Sequence, residues 1–229
     1  MSVLDDLYNS HAGRRCFIAG NGPSLNKMDL SLMKDDVIIL QNRGHLLAAR
    51  IGRPPNLLVA VDAIVVKQFH EEMKAVPCTK FSNENYLADW EQPGDDVIFL
   101  NTAGPIAVWQ PDIRRPFDEG HTVTNVSLHI AFFMGFDPVY LIGVDHFYLC
   151  AAPPNARWTS EGHDVDHFDP NYLPVGMDSF GPDLERSERS YRMVEKGYRE
   201  AGRQVLNAGV DSRLEIFPRV DYRSLFNAK

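Results

Sequence analysis

Cysteine is scarce in this sequence. Three occur in 229 residues, Cys16, Cys78 and Cys150, widely spaced and without a CxxC pair. That pattern excludes a disulfide framework and a zinc knuckle. Long apolar runs are also missing: stretches such as VYLIGV fall far short of the roughly 20 residues that span a bilayer. The N-terminal MSVLDDLYNSHAGRR carries no apolar h-region, so the expected location is cytoplasmic, with at most peripheral membrane association. Positive charge is in deficit as well. With 23 Lys and Arg against 31 Asp and Glu the net charge is −8, which argues against nucleic acid as the partner. No internal repeat or low-complexity segment is present.

What is present is enough apolar residue, 44%, for a sizeable core, and a length that suits one α/β domain over residues 1–229. Short β-branched runs read as buried strands at 15–20, 36–42, 56–62, 96–101, 138–145 and 213–219. Helical stretches are read at 24–33, 63–74, 124–136 and 184–205. Strands alternating with helices predict an α/β, Rossmann-like fold, with a mostly parallel sheet covered by helices on both faces. Residues 150–183, rich in Pro, Gly, Asp and His and without periodicity, read as a long lid or acceptor-binding segment.

Chemistry is expected first at FIAGNGPSL. Gly20 and Gly22 allow positive φ or close approach of the backbone to a ligand, Asn21 offers an amide, and Ser24 can cap a following helix whose N-terminus favours an anion. The turn is neither GxGxxG nor a Walker loop, and an ordinary strand-to-helix turn has the same composition. Polar strand ends come next: Gln41 and Asn42, Asp62, Asn101 with Thr102, and Asp145. They would ring the carboxyl edge of a parallel sheet, where ligands bind. GHDVDHFDPNY then packs His163, Asp164, Asp166, His167 and Asp169 into seven positions. Its spacing matches no standard metal-ligand pattern, so general acid–base work by one histidine is favoured over a metal site or a solvated loop.

These blocks together carry a resemblance. FIAGNGPSL (17–25), ILQN (39–42), TNVSLHIAFFMGFDPVYLIGVDHFY (124–148), HFDPNY (167–172) and LNAGVDSRLEIFPRVDY (206–222) occur in the order seen in bacterial lipooligosaccharide sialyltransferases. They also resemble a broader superfamily that includes archaeal 6-hydroxymethylpterin diphosphokinases and motility accessory proteins of flagellin glycosylation. The resemblance implies a Rossmann-like domain with a nucleotide at the first strand-turn-helix, contacted by Gly20, Asn21, Gly22, Pro23, Ser24 and Asn42. It implies His167 as the base on the acceptor hydroxyl, oriented by Asp166 or Asp169, and Tyr172 and Tyr148 as partners of the leaving phosphate. Asp62, Asn101, Thr102 and Asp145 complete the expected nucleotide site. Where the sialyltransferases carry an Arg before a Thr-Ser-Gly turn, this sequence reads EGHTVTN, with Gly120 and His121, so sialic acid is not assumed as the sugar.

The expected function is transfer of a sugar from a nucleotide-activated donor, foremost a CMP-sugar, to a glycan hydroxyl by direct displacement. No metal site or cofactor is required, with Mg²⁺ left open, and a homo-oligomer is compatible with the family. Two alternatives stand: a Mg-ATP-dependent diphosphokinase acting on a pterin-like alcohol, and a non-catalytic nucleotide- or glycan-binding module.

Overall fold

Apolar runs become strands where both their faces can be buried. A computed structural model describes residues 2–149 and 152–226, which leaves the first two lid residues, Cys150 and Ala151, outside. In chain order the elements are α1 (Val3–Leu7), β1 (Cys16–Ala19), β2 (Val37–Gln41), α2 (Ala48–Ile51), β3 (Leu57–Ala60), α3 (Ala63–Lys74), β4 (Thr79–Asn83) and β5 (Val97–Leu100). They continue with α4 (Val123–Phe133), β6 (Val139–Ile142), β7 (Arg157–Thr159), β8 (Asp178–Phe180), α5 (Leu184–Glu200) and β9 (Val205–Asn207).

Seven strands form one all-parallel sheet in the order β5-β4-β3-β2-β1-β6-β9. Alternation along each strand sends side chains to two cores. Cys16 and Ile18 join Val37, Ile39, α4 and α5 on one face. Phe17 and Ala19 join Ile38, Leu40, α3 and the C-terminal aromatics on the other. This is the α/β Rossmann-like architecture that the alternating runs imply. Among the described residues, no helix is long and apolar enough to cross a membrane.

Several expected elements differ. Residues 24–33 are not one helix but two short 3₁₀ turns, Pro23–Lys27 and Leu30–Met33, separated by an extended Met28 and restarted by Asp29, whose side chain accepts from the Ser31 amide. The expected strand at 213–219 is irregular chain with only a bridge at Arg219 to Asn207, although Leu214 and Phe217 are buried. The last sheet strand is instead β9, which begins on the last residue of the span read as helix, because α5 stops at Glu200 and Gly202 takes a positive φ of 72°. β4 was not expected, and the lid contains a small antiparallel hairpin of β7 and β8.

One buried polar group ties stability to pH. His129 in α4 is fully buried between the rings of Phe117 and Trp109, both 4.8 Å away by centroid, and its Nδ1 bonds the Asn125 carbonyl at 2.9 Å. Burial lowers its pKa from 6.5 to about 4. The unfolded chain therefore binds more protons between those values, so stability is full above pH 6.5 and falls as pH drops toward 4. At 1.36 kcal/mol per pH unit this one ring accounts for about 3 kcal/mol. Urea unfolding of wild type at pH 7 and pH 4.5 should show that loss, and His129→Phe should show a smaller one. An equal loss in both proteins rules His129 out as the cause.

Candidate functional site

The strand order reverses between β1 and β6, and the chain leaves both strands at a glycine. Crevices form at such switch points, and here a cleft of about 560 Å³ opens over Gly20–Gly22 and Gly143–Asp145. The glycines are demanded by the chain's own packing. A Cβ on Gly20 would collide with the Gly143 carbonyl, and one on Gly22 with the Asp145 carboxylate. Gly22 itself has an ordinary φ of −66°, so positive φ is not its reason.

The turn's amides are largely committed. Gly20 N donates to Ile142 O and Gly22 N to Gly143 O, both at 2.8 Å. Ser24 gives its amide (2.9 Å) and its hydroxyl to the Asp145 carboxylate. Pro23 has no N–H, and the 3₁₀ segment is five residues long. The expectation of an open amide cradle at 22–24 is thus corrected: its anion is Asp145. Beneath the cleft, Asn21 Nδ2 donates to the Gln41 carbonyl (3.2 Å), while Thr124 Oγ1 donates to Gln41 Oε1 and Gln41 Nε2 to Ser127 Oγ, both at 3.1 Å. The side-chain oxygens of Asn21 and Asn42 are buried, on residues that line the cleft, with no partner among the described residues. Unmet buried acceptors are costly, and both suit an N–H donor on a ligand.

The lid is fastened to this floor. Phe168 N donates to Asn21 O (2.9 Å), and Asn26 Nδ2 to Phe168 O (2.8 Å). Arg43, only 6% exposed, donates to Glu72 of α3 at 2.9–3.0 Å and to the lid carbonyls of Asn171 (3.0 Å) and Tyr172, with its guanidinium 4.1 Å over Phe69. His167 is stacked on Tyr172 at 4.0 Å and 13°. Its Nδ1 donates to Asp164 Oδ2 at 2.6 Å, and Asp164 also accepts from the amides of Leu173 (3.1 Å) and Asp166 (3.0 Å). Burial pushes the Asp164 carboxyl up, but the bond to His167 and the amides hold it below its usual value. A carboxylate so placed fixes the ring's tautomer, with the proton on Nδ1 and the lone pair on Nε2.

Of the expected residues, Gly20, Asn21, Gly22, Asn42, Asp62, Asp145, Tyr148, Asp166, His167 and Tyr172 line the cleft. Pro23, Ser24, Asn101, Thr102 and Asp169 do not. Asn101 caps its own loop and bonds Glu84, Thr102 stands behind Glu119, and Asp169 accepts from the Asn171 amide. Asp164, not Asp166 or Asp169, orients the histidine. Tyr172, expected at a leaving phosphate, has its hydroxyl against the Arg43 amide at 3.3 Å. Sequence reading passed over Arg43, His146 and Glu119, although Arg43 directly follows QN and His146 directly follows VD.

The lining is acidic. Burial raises the pKa of Asp62, Glu119 and Asp145. These carboxylates do not converge into an ion cage. Among the described residues the three-ligand group is His70, Glu71 and Glu91, outside the cleft lining.

Residues 2–149 match the family model described as 6-hydroxymethylpterin diphosphokinase MptE-like. Among solved structures, the chain is similar to the MAf glycosyltransferase from Magnetospirillum magneticum AMB-1, with a TM-score of 0.60 at 21% identity over 95% of this chain. It spans 35% of that protein's length, and at this identity the likeness shows the fold. No curated protein sequence matches the chain.

Proposed function

The chain belongs to the MptE-like family, and from that membership and the geometry of the cleft we propose a group-transfer enzyme that moves a sugar from a nucleotide-activated donor, CMP-linked, to a hydroxyl acceptor. The observation that carries this reading is the lid histidine. His167 is held by Asp164 at 2.6 Å, on a lid bonded to the GNGPS turn through Phe168 and Asn21. A base oriented this way takes the acceptor proton while the anomeric carbon is displaced. The lid that carries it excludes water from the reacting bond. The unpartnered Asn21 and Asn42 oxygens favour a ligand with an amino group, as on a nucleobase. Likeness in fold to a glycosyltransferase supports the same reading.

A second reading, diphosphoryl transfer from Mg-ATP to a pterin-like alcohol, is favoured by the family's description and by the acidic lining, which would accept a metal-complexed triphosphate. Thermal unfolding with CMP, CDP, UDP, GDP and ATP, each with and without Mg²⁺, separates the two. At a hundredfold excess over Kd a ligand adds about 2.7 kcal/mol, roughly 5–10 °C for a chain of this size. A CMP shift independent of Mg²⁺ is expected. A shift with Mg-ATP alone would replace the first reading with the second.

A further inference from the structure

The cleft is short of positive charge for any ligand that carries phosphate. Six carboxylates line it, those of Asp62, Glu119, Asp145, Asp164, Asp166 and Asp183. Among the described residues Arg43 is its one lining arginine, no lysine lines it, and the Arg43 guanidinium is bonded to Glu72 and two lid carbonyls. The remaining cation sources are three histidines. His167 is oriented by Asp164 and is the base toward the acceptor. His121 already has its Nε2 taken up, accepting from Arg186 Nη1 at 3.4 Å.

His146 differs from both. It lies one residue beyond Asp145, whose carboxylate is bonded into the GNGPS turn, so it borders the place where the strands β1 and β6 end. Its side chain is 7% exposed, and Nε2 donates to Glu188 Oε1 on α5 at 3.1 Å. That hydrogen bond fixes the ring with Nε2–H turned toward Glu188. Nδ1 has no partner among the described residues. The backbone is left-handed, φ 55°, a conformation costly outside glycine and concentrated at functional positions. The charged and titratable groups against the ring are Glu188 and Tyr191 on α5, with Arg192 behind Glu188, and its own segment carries Asp145 and Tyr148. Arg192 bonds Glu188 at 3.1 Å and so steadies the carboxylate rather than the ring.

We propose that His146, held by Glu188, is the acid that meets the departing phosphate from the end of β6. This rests on the nucleotide-donor reading of the cleft. As the bond between the transferred group and the phosphate oxygen breaks, its electron pair stays on that oxygen, which takes the proton from Nδ1. His167 Nε2 takes the acceptor's proton in the same turnover, and both rings then exchange with solvent. Glu188 acts through His146 and is a positioning residue.

The test is calorimetric binding of CMP against cytidine, and of ATP against adenosine, from pH 6 to 8. Comparing wild type with His146→Asn cancels the phosphate's own titration near pH 6, and Asn tolerates the left-handed backbone. In wild type the nucleotide should bind with proton uptake. In His146→Asn its affinity at pH 6 should fall roughly ten- to hundredfold, as for loss of a charged hydrogen bond, with the nucleoside unchanged and the proton uptake gone. Glu188→Gln should shift the same pH dependence toward acid, and it carries the test if the first variant fails to fold. An unchanged pH dependence, or equal loss for nucleotide and nucleoside, overturns the assignment alone. Absence of any nucleotide binding by wild type overturns it together with the nucleotide reading.

Discussion

Replacing His167 by alanine is expected to lower transfer by roughly 10²–10⁴-fold, the usual contribution of a positioned general base. Nucleotide affinity should stay within a few-fold of wild type, because the turn, Asn21 and Asn42 do not depend on the imidazole. Asp164→Asn should lower kcat as well. Asn offers Nδ1–H an amide oxygen without the charge that steadies the imidazolium, and it keeps the loop bonds to Asp166 and Leu173 only in part. Since His167 also stacks on Tyr172, His167→Phe is the packing control and should be as inactive as alanine. The measurement pairs turnover with calorimetry of the nucleotide. Transfer at near wild-type rate by either variant at position 167 would remove His167 from the chemistry.

Arg43→Ala carries the largest expected change in stability outside the core. The guanidinium joins α3 to the lid and satisfies the carbonyls of Asn171 and of the buried Tyr172. Removing it leaves those carbonyls unmet and the Phe69 face uncovered. Glu72 is 44% exposed and can rehydrate, so the cost falls below that of a fully buried pair, at about 2–4 kcal/mol. Amide exchange should rise across residues 164–173 while the sheet strands stay protected. Arg43→Lys should recover only part of the loss, since an ammonium cannot bridge Glu72 and both carbonyls in one plane. Urea unfolding within 0.5 kcal/mol of wild type would show that the lid is held elsewhere.

The sheet was legible where strands are buried on both faces, because such strands are continuous apolar runs. β4 was not, because TKFSN contains a lysine. Lys80 is 1% exposed, and its Nζ bonds the carbonyls of Val76 (2.7 Å) and Cys78 (2.9 Å) and the carboxylate of Asp96. Partners supplied by the tertiary fold made a polar segment into a central strand. The stretch 24–33 has helical composition, yet its regular turns are set by Pro23 and by the Asp29 cap. At the site, the lid histidine could be singled out, but not its partner, since the loop has no periodicity to say which of Asp164, Asp166 and Asp169 faces the ring. Arg43 left no signal, because Glu72, Asn171 and Tyr172 are remote in sequence.

The collision of a Cβ at Gly20 or Gly22 with the β6 segment decides which variants are informative. Alanine at either glycine strikes the Gly143 carbonyl or the Asp145 carboxylate before any ligand arrives. A mutational scan would therefore score both as essential even in a relative that binds nothing. Inactivity at those positions is a readout of chain assembly. Evidence about the ligand has to come from Asn42, His146 and His167, whose side chains face the cleft and are not wedged between strand ends.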